Sequence, residues 1–330
     1  MTSPATSVQA PFELPEEERS AGLMQEEAKY RALLARLSHQ SVVKHYEAYR
    51  DIPWDDAEYA IDPADPRWEL LPTDTLGGTD WYQAQPQAVR ARLGLHMIAS
   101  NMTLGHEFEN VLKRGLLEFA LRLPNDAPER RYVYHEVIEE AQHALMFQEF
   151  VRRTGLPVSG MPRWMEFGSR QVVRFARSFP ELFFLFVLGG EDPIDHVQRA
   201  ALASGVPMHP LLRRMDQIHV TEEARHLSFA RAYLRRNVPR LSGSKLLMLR
   251  VRAPILLGVM AGQMLEPSRE LIRTYGIPRT LVRQAYADNP EHHRSMLDGL
   301  RKVRELCVEV GIAVPPYTWL WRRMGIWQAA

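Results

Sequence analysis

Three side chains with metal-binding chemistry lie within one short segment in the second half of the chain. They are His219, Glu223 and His226, in the segment His219-Val-Thr-Glu-Glu-Ala-Arg-His226. Residues three or four positions apart share one face of a helix, so these two imidazoles and the carboxylate point the same way. Carboxylate and imidazole ligands without thiolate suit iron or manganese. The segment therefore predicts a helix with a metal-binding stripe.

An earlier segment repeats part of this pattern. Glu140 and His143 form a Glu-x-x-His unit like the one formed by Glu223 and His226. In ferritin-like carboxylate bundles, two helices each supply such a unit and two others each supply a single glutamate. The two units therefore predict a dinuclear metal site inside a four-helix bundle.

Each Glu-x-x-His unit should follow a helix that carries a single inward-facing carboxylate. In the second half of the chain the candidate is Glu191, which lies 32 residues before Glu223. It comes directly after the apolar run that ends in Val187-Leu-Gly-Gly190. A charge without a partner would be costly in such surroundings, so Glu191 is expected to bind a cation.

Two acids compete for the corresponding place in the first half. Glu109 shares a helix face with Leu112 and Leu116, whereas Glu107 points nearly the opposite way. Glu109 also lies 31 residues before Glu140, close to the spacing found in the other half. We predict Glu109 as the ligand, and Glu107 remains the alternative.

The predicted ligand set joins both halves of the chain. Its members are Glu109, Glu140, His143, Glu191, His219, Glu223 and His226. Two divalent cations would offset the charge of four carboxylates, which allows such acids to lie in a bundle core. By spacing alone, Glu139 and Glu222 also reach the same stripe. The three-residue interval to the histidine favours Glu140 and Glu223 as ligands.

The apolar pattern predicts helices along most of the chain, with no convincing alternating strand. Helical segments are expected at 16–49, 86–123, 128–153, 165–179, 180–204, 209–234, 243–274 and 290–311. The expected fold is all-α, a ferritin-like four-helix bundle core at about 86–236 with extra flanking helices. Residues 1–15 are rich in Ser, Thr, Ala and Pro and are expected to form a disordered tail, and 16–330 to form one helical domain.

Composition argues against several classes of function. A net charge of +1 gives no electrostatic support for binding nucleic acid or an anionic membrane. The single cysteine, Cys307, excludes an intramolecular disulfide and a thiolate-rich metal site, and it suits a reducing cytoplasm. No secretory signal is apparent at the N-terminus. The apolar stretch at 246–264 contains Arg250 and Arg252, so it is expected to be a core helix rather than a membrane span.

The combined motif resembles the p-aminobenzoate N-oxygenase family of di-iron arylamine oxygenases. The matching features are Glu140-Ala-Gln-His143, Gly190-Glu191 after an apolar run, and the segment from His219 to His226. The additional histidine, His219, separates this family from other ferritin-like oxygenases. The resemblance covers roughly residues 80–310.

This resemblance implies a cytoplasmic, homodimeric, non-haem di-iron enzyme. Such enzymes use O₂ to oxidise an aryl amine through hydroxylamine and nitroso stages to a nitro group, in secondary metabolism. The resemblance also implies that the seven residues named above bind two iron ions, with manganese as the alternative metal. The implied substrate is a small-molecule amine, and the implied electron donor is a reductase or a small reductant.

Neither the substrate nor its anchoring residues follow from the sequence. Arg301 and Arg304 lie on a C-terminal helix, and we name them as the candidates for binding a substrate carboxylate. Two other functions would use the same ligands, namely a di-iron C–H hydroxylase or desaturase and a ferritin-like iron-storage protein. His219 favours N-oxygenation over C–H oxidation. The irregular region at 51–85 and the additional C-terminal helices favour an enzyme over a storage protein.

Overall fold

The computed structural model describes residues 16–264 and 267–327, and every regular element in these residues is helical. The all-α prediction is therefore confirmed. The helices are α1 Glu16–Val43, α2 Asp80–Gln83, α3 Gln87–Ala120, α4 Pro128–Thr154, α5 Arg163–Ser178, α6 Pro180–Ala203, α7 Pro210–Asn237, α8 Gly243–Met264, α9 Arg269–Thr274, α10 Arg279–Val282, α11 Pro290–Gly299, α12 Arg301–Glu309 and α13 Thr318–Arg323. The tail predicted at 1–15 lies outside the described residues.

Two helical hairpins form the bundle at the centre of the molecule. Helix α3 packs along α4, and α6 packs along α7, while contacts of α3 with α6 and of α4 with α7 join the two pairs. Helix α5 lies in the crossover between the hairpins and packs on α3 and α6. Helix α1 covers α4 and α7, and α8 covers α6. This arrangement confirms the predicted ferritin-like core with flanking helices.

Proline and glycine define the ends of the helix that carries the first Glu-x-x-His unit. Pro128 occupies the first turn of α4, where its missing N–H costs no hydrogen bond. Gly155 ends the helix with a positive φ of 61°, a conformation that glycine adopts without steric cost. Helix α7 also begins with a proline, Pro210, in its first turn. The side chain of His209 caps this helix by accepting a hydrogen bond from the backbone N–H of Leu211.

The segment between α1 and α3 wraps around the bundle and is anchored by tryptophans. Trp68 is 1% exposed and stacks on His209 with ring centroids 4.0 Å apart. The indole N–H of Trp54 donates a hydrogen bond of 2.7 Å to the carbonyl of Ala48. Both tryptophan rings are buried, so they pack this proline-rich stretch against the bundle.

The C-terminal helices are shorter than expected. The helix predicted over 290–311 divides at Leu300 into α11 and α12, and α8 ends ten residues before the end predicted for it, at Met264. None of the helices in residues 16–264 and 267–327 combines the length and apolar character that a bilayer crossing requires. The buried face of α8, which includes Leu249, Ala253 and Leu257, packs instead into the main hydrophobic core.

Two glycines set the close approach of α3 and α6. Gly115 of α3 faces the ring of Phe183, and Gly190 of α6 faces the ring of Phe108, so each helix offers a gap to an aromatic side chain of the other. A Cβ atom at either glycine would overlap that ring. Phe183 is fully buried and has little room to move. The two glycines therefore fix the distance between the helices that carry Glu109 and Glu191.

Replacing Gly115 by alanine tests this close approach. We expect Gly115→Ala to lower the free energy of unfolding by about 1–3 kcal/mol, because the added methyl group overpacks the core against Phe183. Urea denaturation followed by circular dichroism measures the change. The matched control is Gly22→Ala in α1, where the added methyl group meets no atom. This control should raise helix stability by up to about 1 kcal/mol, and an equal loss of stability in both variants would contradict the explanation.

Candidate metal centre

The four bundle helices bring all seven predicted residues into one cluster. Helix α3 supplies Glu109, α4 supplies Glu140 and His143, α6 supplies Glu191, and α7 supplies His219, Glu223 and His226. Each of these residues is at most 3% exposed. Their ligand atoms, together with those of Glu136, form four overlapping groups of three in which all distances are within 4.8 Å. The sequence thus predicted which residues meet, and their coordination of metal stays a prediction.

The alternative acid, Glu107, lies outside this cluster. Its carboxylate accepts a hydrogen bond from the backbone N–H of Met161, in the segment that leads into α5. Glu109, on the opposite face of α3, has its Oε1 atom 3.7 Å from His143 Nδ1 and 3.8 Å from His219 Nε2. The position of Glu109 on the face of α3 therefore predicted correctly which acid joins the cluster.

The two glutamates that precede the Glu-x-x-His units accept hydrogen bonds from the histidine nitrogens that point away from the cluster. Glu222 Oε2 accepts a 2.9 Å hydrogen bond from His143 Nε2, and Glu139 Oε2 accepts a 2.7 Å hydrogen bond from His226 Nε2. Each glutamate thus orients the histidine of the other unit. Arg225 bridges them, because its Nη2 atom lies 2.7 Å from Glu139 Oε1 and 3.3 Å from Glu222 Oε1. Spacing alone left both glutamates as possible ligands, and the structure gives them this orienting contact.

With Nε2 engaged, Nδ1 is the imidazole nitrogen that faces the cluster. His143 Nδ1 lies 3.4 Å from Glu140 Oε2 and 3.5 Å from Glu223 Oε1, and it has no hydrogen-bond partner among the described residues. His226 Nδ1 lies 3.0 Å from Oε1 of the same two glutamates. Metal-binding histidines commonly donate their other ring nitrogen to a carboxylate in this way, which fixes the ring orientation.

His219 faces the cluster with the opposite ring nitrogen, Nε2. Its Nδ1 atom is 2.8 Å from the amide oxygen of Gln198, so its Nε2 atom faces the cluster, 4.0 Å from Glu223 Oε1. The amide nitrogen of Gln198 in turn donates a 3.1 Å hydrogen bond to Asp216 Oδ1. The sequence reasoning missed both partners. Their spacing was a usable signal, since Gln198 is two turns after Glu191 and Asp216 one turn before His219.

Glu136 is a further acid that the sequence reasoning missed. It lies one turn before Glu140 on α4, is fully buried, and groups with Glu140 and His226 at metal-ligand spacing. Burial and the negative charges of Glu223 and Glu139 raise its pKa to about 8, despite the opposing effect of His226. The helical interval of four residues before Glu140 would have pointed to it.

The ionisation of the cluster reflects an excess of carboxylates. Burial, with the negative charges of Glu223 and Glu140, raises the pKa of Glu191 well above its ordinary value. Burial also favours the neutral form of Glu140, but the charges and hydrogen bonds of His226 and His143 hold its pKa at about 2. Burial lowers the pKa of His143, yet its hydrogen bonds to carboxylates raise it to about 10. Metal binding would replace such protons with cations.

Unpaired buried atoms indicate that this donor set suits metal ions. Buried polar atoms in proteins almost always have a hydrogen-bond partner. Here, however, several carboxylate oxygens of the cluster have none among the described residues, namely Glu109 Oε2, both oxygens of Glu136 and Glu223 Oε2. Oxygen and imidazole donors without sulfur match iron or manganese. The residues therefore suit the dinuclear centre that the sequence predicts.

A cavity of about 520 Å³ adjoins the cluster. Glu109, Glu191 and His219 form part of its wall, and the rest comes mainly from apolar side chains of α3, α5, α6, α7 and α8. The volume is typical of sites that enclose a small molecule. The cavity therefore gives a bound molecule direct access to three of the predicted ligands.

The two arginines named as candidates for a substrate anchor do not reach this cavity. Arg301 is exposed and pairs with Glu305 at 2.9 Å, and Arg304 donates a hydrogen bond of 3.0 Å to the carbonyl of Leu297. Neither side chain lines the cavity. Helix α12 packs against α6 on the outside of the bundle, an arrangement that local sequence does not reveal.

Comparison with known proteins gives one family and a small set of relatives. A family model described as p-aminobenzoate N-oxygenase AurF matches residues 27–311. Uncharacterised proteins of Mycobacterium tuberculosis and Mycobacterium bovis are 37% identical over 297 residues, which span 90% of this chain and 87% of each relative. No solved structure gives a significant match. The matched family segment contains all seven predicted ligands.

Replacing Glu222 by glutamine tests the orienting contact. We expect Glu222→Gln to weaken iron binding by about 10–100-fold while leaving the helical content unchanged, because the carboxylate that fixes His143 loses its charge. Competition titration with an iron chelator measures the affinity. Glu305→Gln, a change on the surface of α12, is the control and should bind iron as the unmodified protein does. Unchanged affinity in Glu222→Gln would show that the contact with His143 does not support metal binding.

Proposed function

The chain belongs to the p-aminobenzoate N-oxygenase AurF family, and on this premise we propose that it is a non-haem di-iron oxygenase that N-oxygenates an amine. The amine would lie in the cavity beside the cluster, and O₂ would be the second substrate. The products would be the hydroxylamine, nitroso or nitro forms of the amine.

Seven residues are proposed to hold the two metal ions. They are Glu109, Glu140, His143, Glu191, His219, Glu223 and His226, with iron as the first choice and manganese as the alternative. When bound, the iron pair would supply the redox chemistry and the O₂-binding positions that oxygenation requires. Support for this set comes from the burial of all seven side chains, from their grouping within ligand distance of one another, and from the unpaired oxygens of Glu109 and Glu223.

The observation that carries the proposal is the contact between the cluster and the cavity. His219, the histidine that prompted the N-oxygenase interpretation, lies at this boundary together with Glu109 and Glu191. An iron-storage protein has no need for an apolar cavity that ends on its metal ligands, so the cavity favours an enzyme. A C–H hydroxylase or desaturase would use the same geometry, and product analysis separates it from an N-oxygenase.

Residues around the metal ligands would keep the site in its working geometry. The imidazoles of His143 and His226 are oriented by Glu222 and Glu139, which Arg225 bridges. Gln198, on α6, orients His219. Their hydrogen bonds would hold the ligands in place before a metal binds, which reduces the reorganisation that binding requires. The apolar cavity wall would limit the access of water to the bound amine.

Several further features remain proposals. We propose that electrons come from a reductase or a small reductant, that the enzyme acts in the cytoplasm as a homodimer, and that it serves secondary metabolism. These proposals follow from the family resemblance, and oligomeric state is accessible by light scattering.

Metal content and product identity test the proposed function together. The purified protein should take up about two iron ions per chain, measured by inductively coupled plasma mass spectrometry. After reduction and exposure to O₂, mass spectrometry should detect hydroxylamine, nitroso or nitro products from a panel of arylamines. Hydroxylated or desaturated carbon products would instead favour a C–H oxidase. Iron uptake without turnover of either class would favour storage.

Replacing His219 by alanine tests the residue at the boundary. We expect His219→Ala to retain its helical content but to lose iron or N-oxygenation, because the variant removes the nitrogen donor that faces both the cluster and the cavity. Circular dichroism, iron analysis and the arylamine assay provide the three measurements. His196→Ala on the exposed face of α6 is the control and should behave as the unmodified protein. A fully metallated, fully active His219→Ala protein would remove this residue from the ligand set.

A further inference from the structure

The cavity wall is mostly apolar, and two of its polar side chains lie at the end that meets the cluster. Besides the three metal-ligand candidates, its polar lining residues are Asn101, Ser169, Gln171, Gln198 and Asp216. Gln198 and Asp216 lie next to His219, at the end that meets the cluster. Away from the cluster, Ser169 and Gln171 lie on α5 among apolar residues of α5 and α8, such as Met165, Val172 and Met260. A bound molecule would therefore direct its polar group to the cluster and its apolar part away from it.

Cationic side chains are missing from the lining that the structure describes. Among the side chains that the structure describes, at residues 22–162, 164–262 and 267–327, no lysine or arginine lines the cavity, and the one imidazole belongs to His219. A buried carboxylate is strongly disfavoured unless a cation or several hydrogen-bond donors compensate its charge. A substrate with a free carboxylate would therefore have no protein cation to bind at the apolar end.

Asp216 is positioned to accept a hydrogen bond from an amine. It is 5% exposed and lines the cavity, and the one hydrogen bond that its carboxylate makes in the described part of the chain comes from Gln198 to Oδ1. The second oxygen, Oδ2, is thus available as an acceptor. Asp216 also lies one helical turn from His219, on the side of α7 that faces the cavity.

Aromatic rings flank this polar end. Phe108 and Phe186 stack with centroids 4.8 Å apart, and Phe147 lies 5.4 Å from the ring of His219. All three phenylalanines line the cavity. Aromatic rings prefer stacked or edge-to-face neighbours, so this region suits the ring of an arylamine.

The cavity also exceeds the space that a single ring needs. An apolar protein cavity of about 150 Å³ accommodates one benzene molecule, whereas this cavity measures about 520 Å³. The remaining volume lies among apolar side chains, where burial of hydrocarbon stabilises binding.

We propose that the cavity binds an arylamine with an uncharged, apolar body, and that Asp216 accepts a hydrogen bond from its amino group. Aminobenzoate-type anions fall outside this class, because the described side chains of the wall offer them no cation away from the cluster. This inference rests on the proposed function, since it names the substrate class of the same site. Asp216 acts here as a specificity-determining residue.

Two matched ligand pairs test the proposal on the iron-loaded, reduced protein without O₂. The first pair, ethyl 4-aminobenzoate and 4-aminobenzoate, differs chiefly in the negative charge. The second pair, 4-hexylaniline and hexylbenzene, differs in the amino group. Quenching of tryptophan fluorescence gives each dissociation constant, and Trp164 in the cavity wall is a suitable reporter. In each pair we expect the first compound to bind at least about tenfold more tightly, a factor typical of one charge-assisted hydrogen bond or one uncompensated charge.

A substitution separates the contribution of Asp216 from general hydrophobic binding. Asp216→Leu should weaken binding of 4-hexylaniline about tenfold and leave hexylbenzene unchanged, because it removes the acceptor but keeps a similar volume. Glu305→Gln, on the surface of α12 and away from the cavity, is the control and should alter neither affinity. Circular dichroism and iron content verify that the variants retain the site. If Asp216→Leu does not fold, the comparison of ligands on the unmodified protein still decides the question.

Measurements of binding and of turnover test the proposed substrate class and the proposed function separately. Binding of 4-aminobenzoate as tight as that of its ethyl ester would overturn the proposed substrate class, whatever the products are. Equal binding of 4-hexylaniline and hexylbenzene would overturn the role of Asp216. The expected order of affinities, without an N-oxygenated product from any amine, would support the binding proposal and overturn the proposed function instead.

Discussion

The burial of several carboxylates at one point in the bundle core is the constraint on which the rest of the structure depends. An ionised acid in such surroundings needs a nearby positive charge or hydrogen-bond donors. His143, His226 and Arg225 provide part of that compensation from two helices, and the unpaired oxygens of Glu109 and Glu136 indicate that it is incomplete without cations. Binding of cations by this cluster would therefore stabilise the packing of the bundle around it.

Keeping the acids in register requires contacts across the two hairpins. Glu139 on α4 binds the histidine of α7, and Glu222 on α7 binds the histidine of α4, so neither hairpin can shift without breaking both contacts. Between α3 and α6, the distance is set by Gly115 against Phe183 and by Gly190 against Phe108. The positions of the proposed metal ligands and the packing of the core thus depend on the same interhelical spacing.

The flanking helices enclose a cavity beside the carboxylate cluster. Helix α5 covers the opening between α3 and α6, and α8 closes the far side with residues such as Leu256 and Met260. The cluster reaches this space through His219, which Gln198 holds in place. Because most of the wall is apolar, the few polar groups near the cluster decide which molecules are oriented there.

The sequence by itself determined the features that depend on local spacing. Intervals of three and four residues placed Glu140 with His143 and Glu223 with His226, and the helix face selected Glu109, because helical geometry is set by the chain's own backbone. Tertiary structure alone decided which histidines Glu139 and Glu222 contact, and it placed Arg301 and Arg304 away from the cavity. Those outcomes depend on contacts between helices that are distant in sequence, and no periodicity within one helix encodes them.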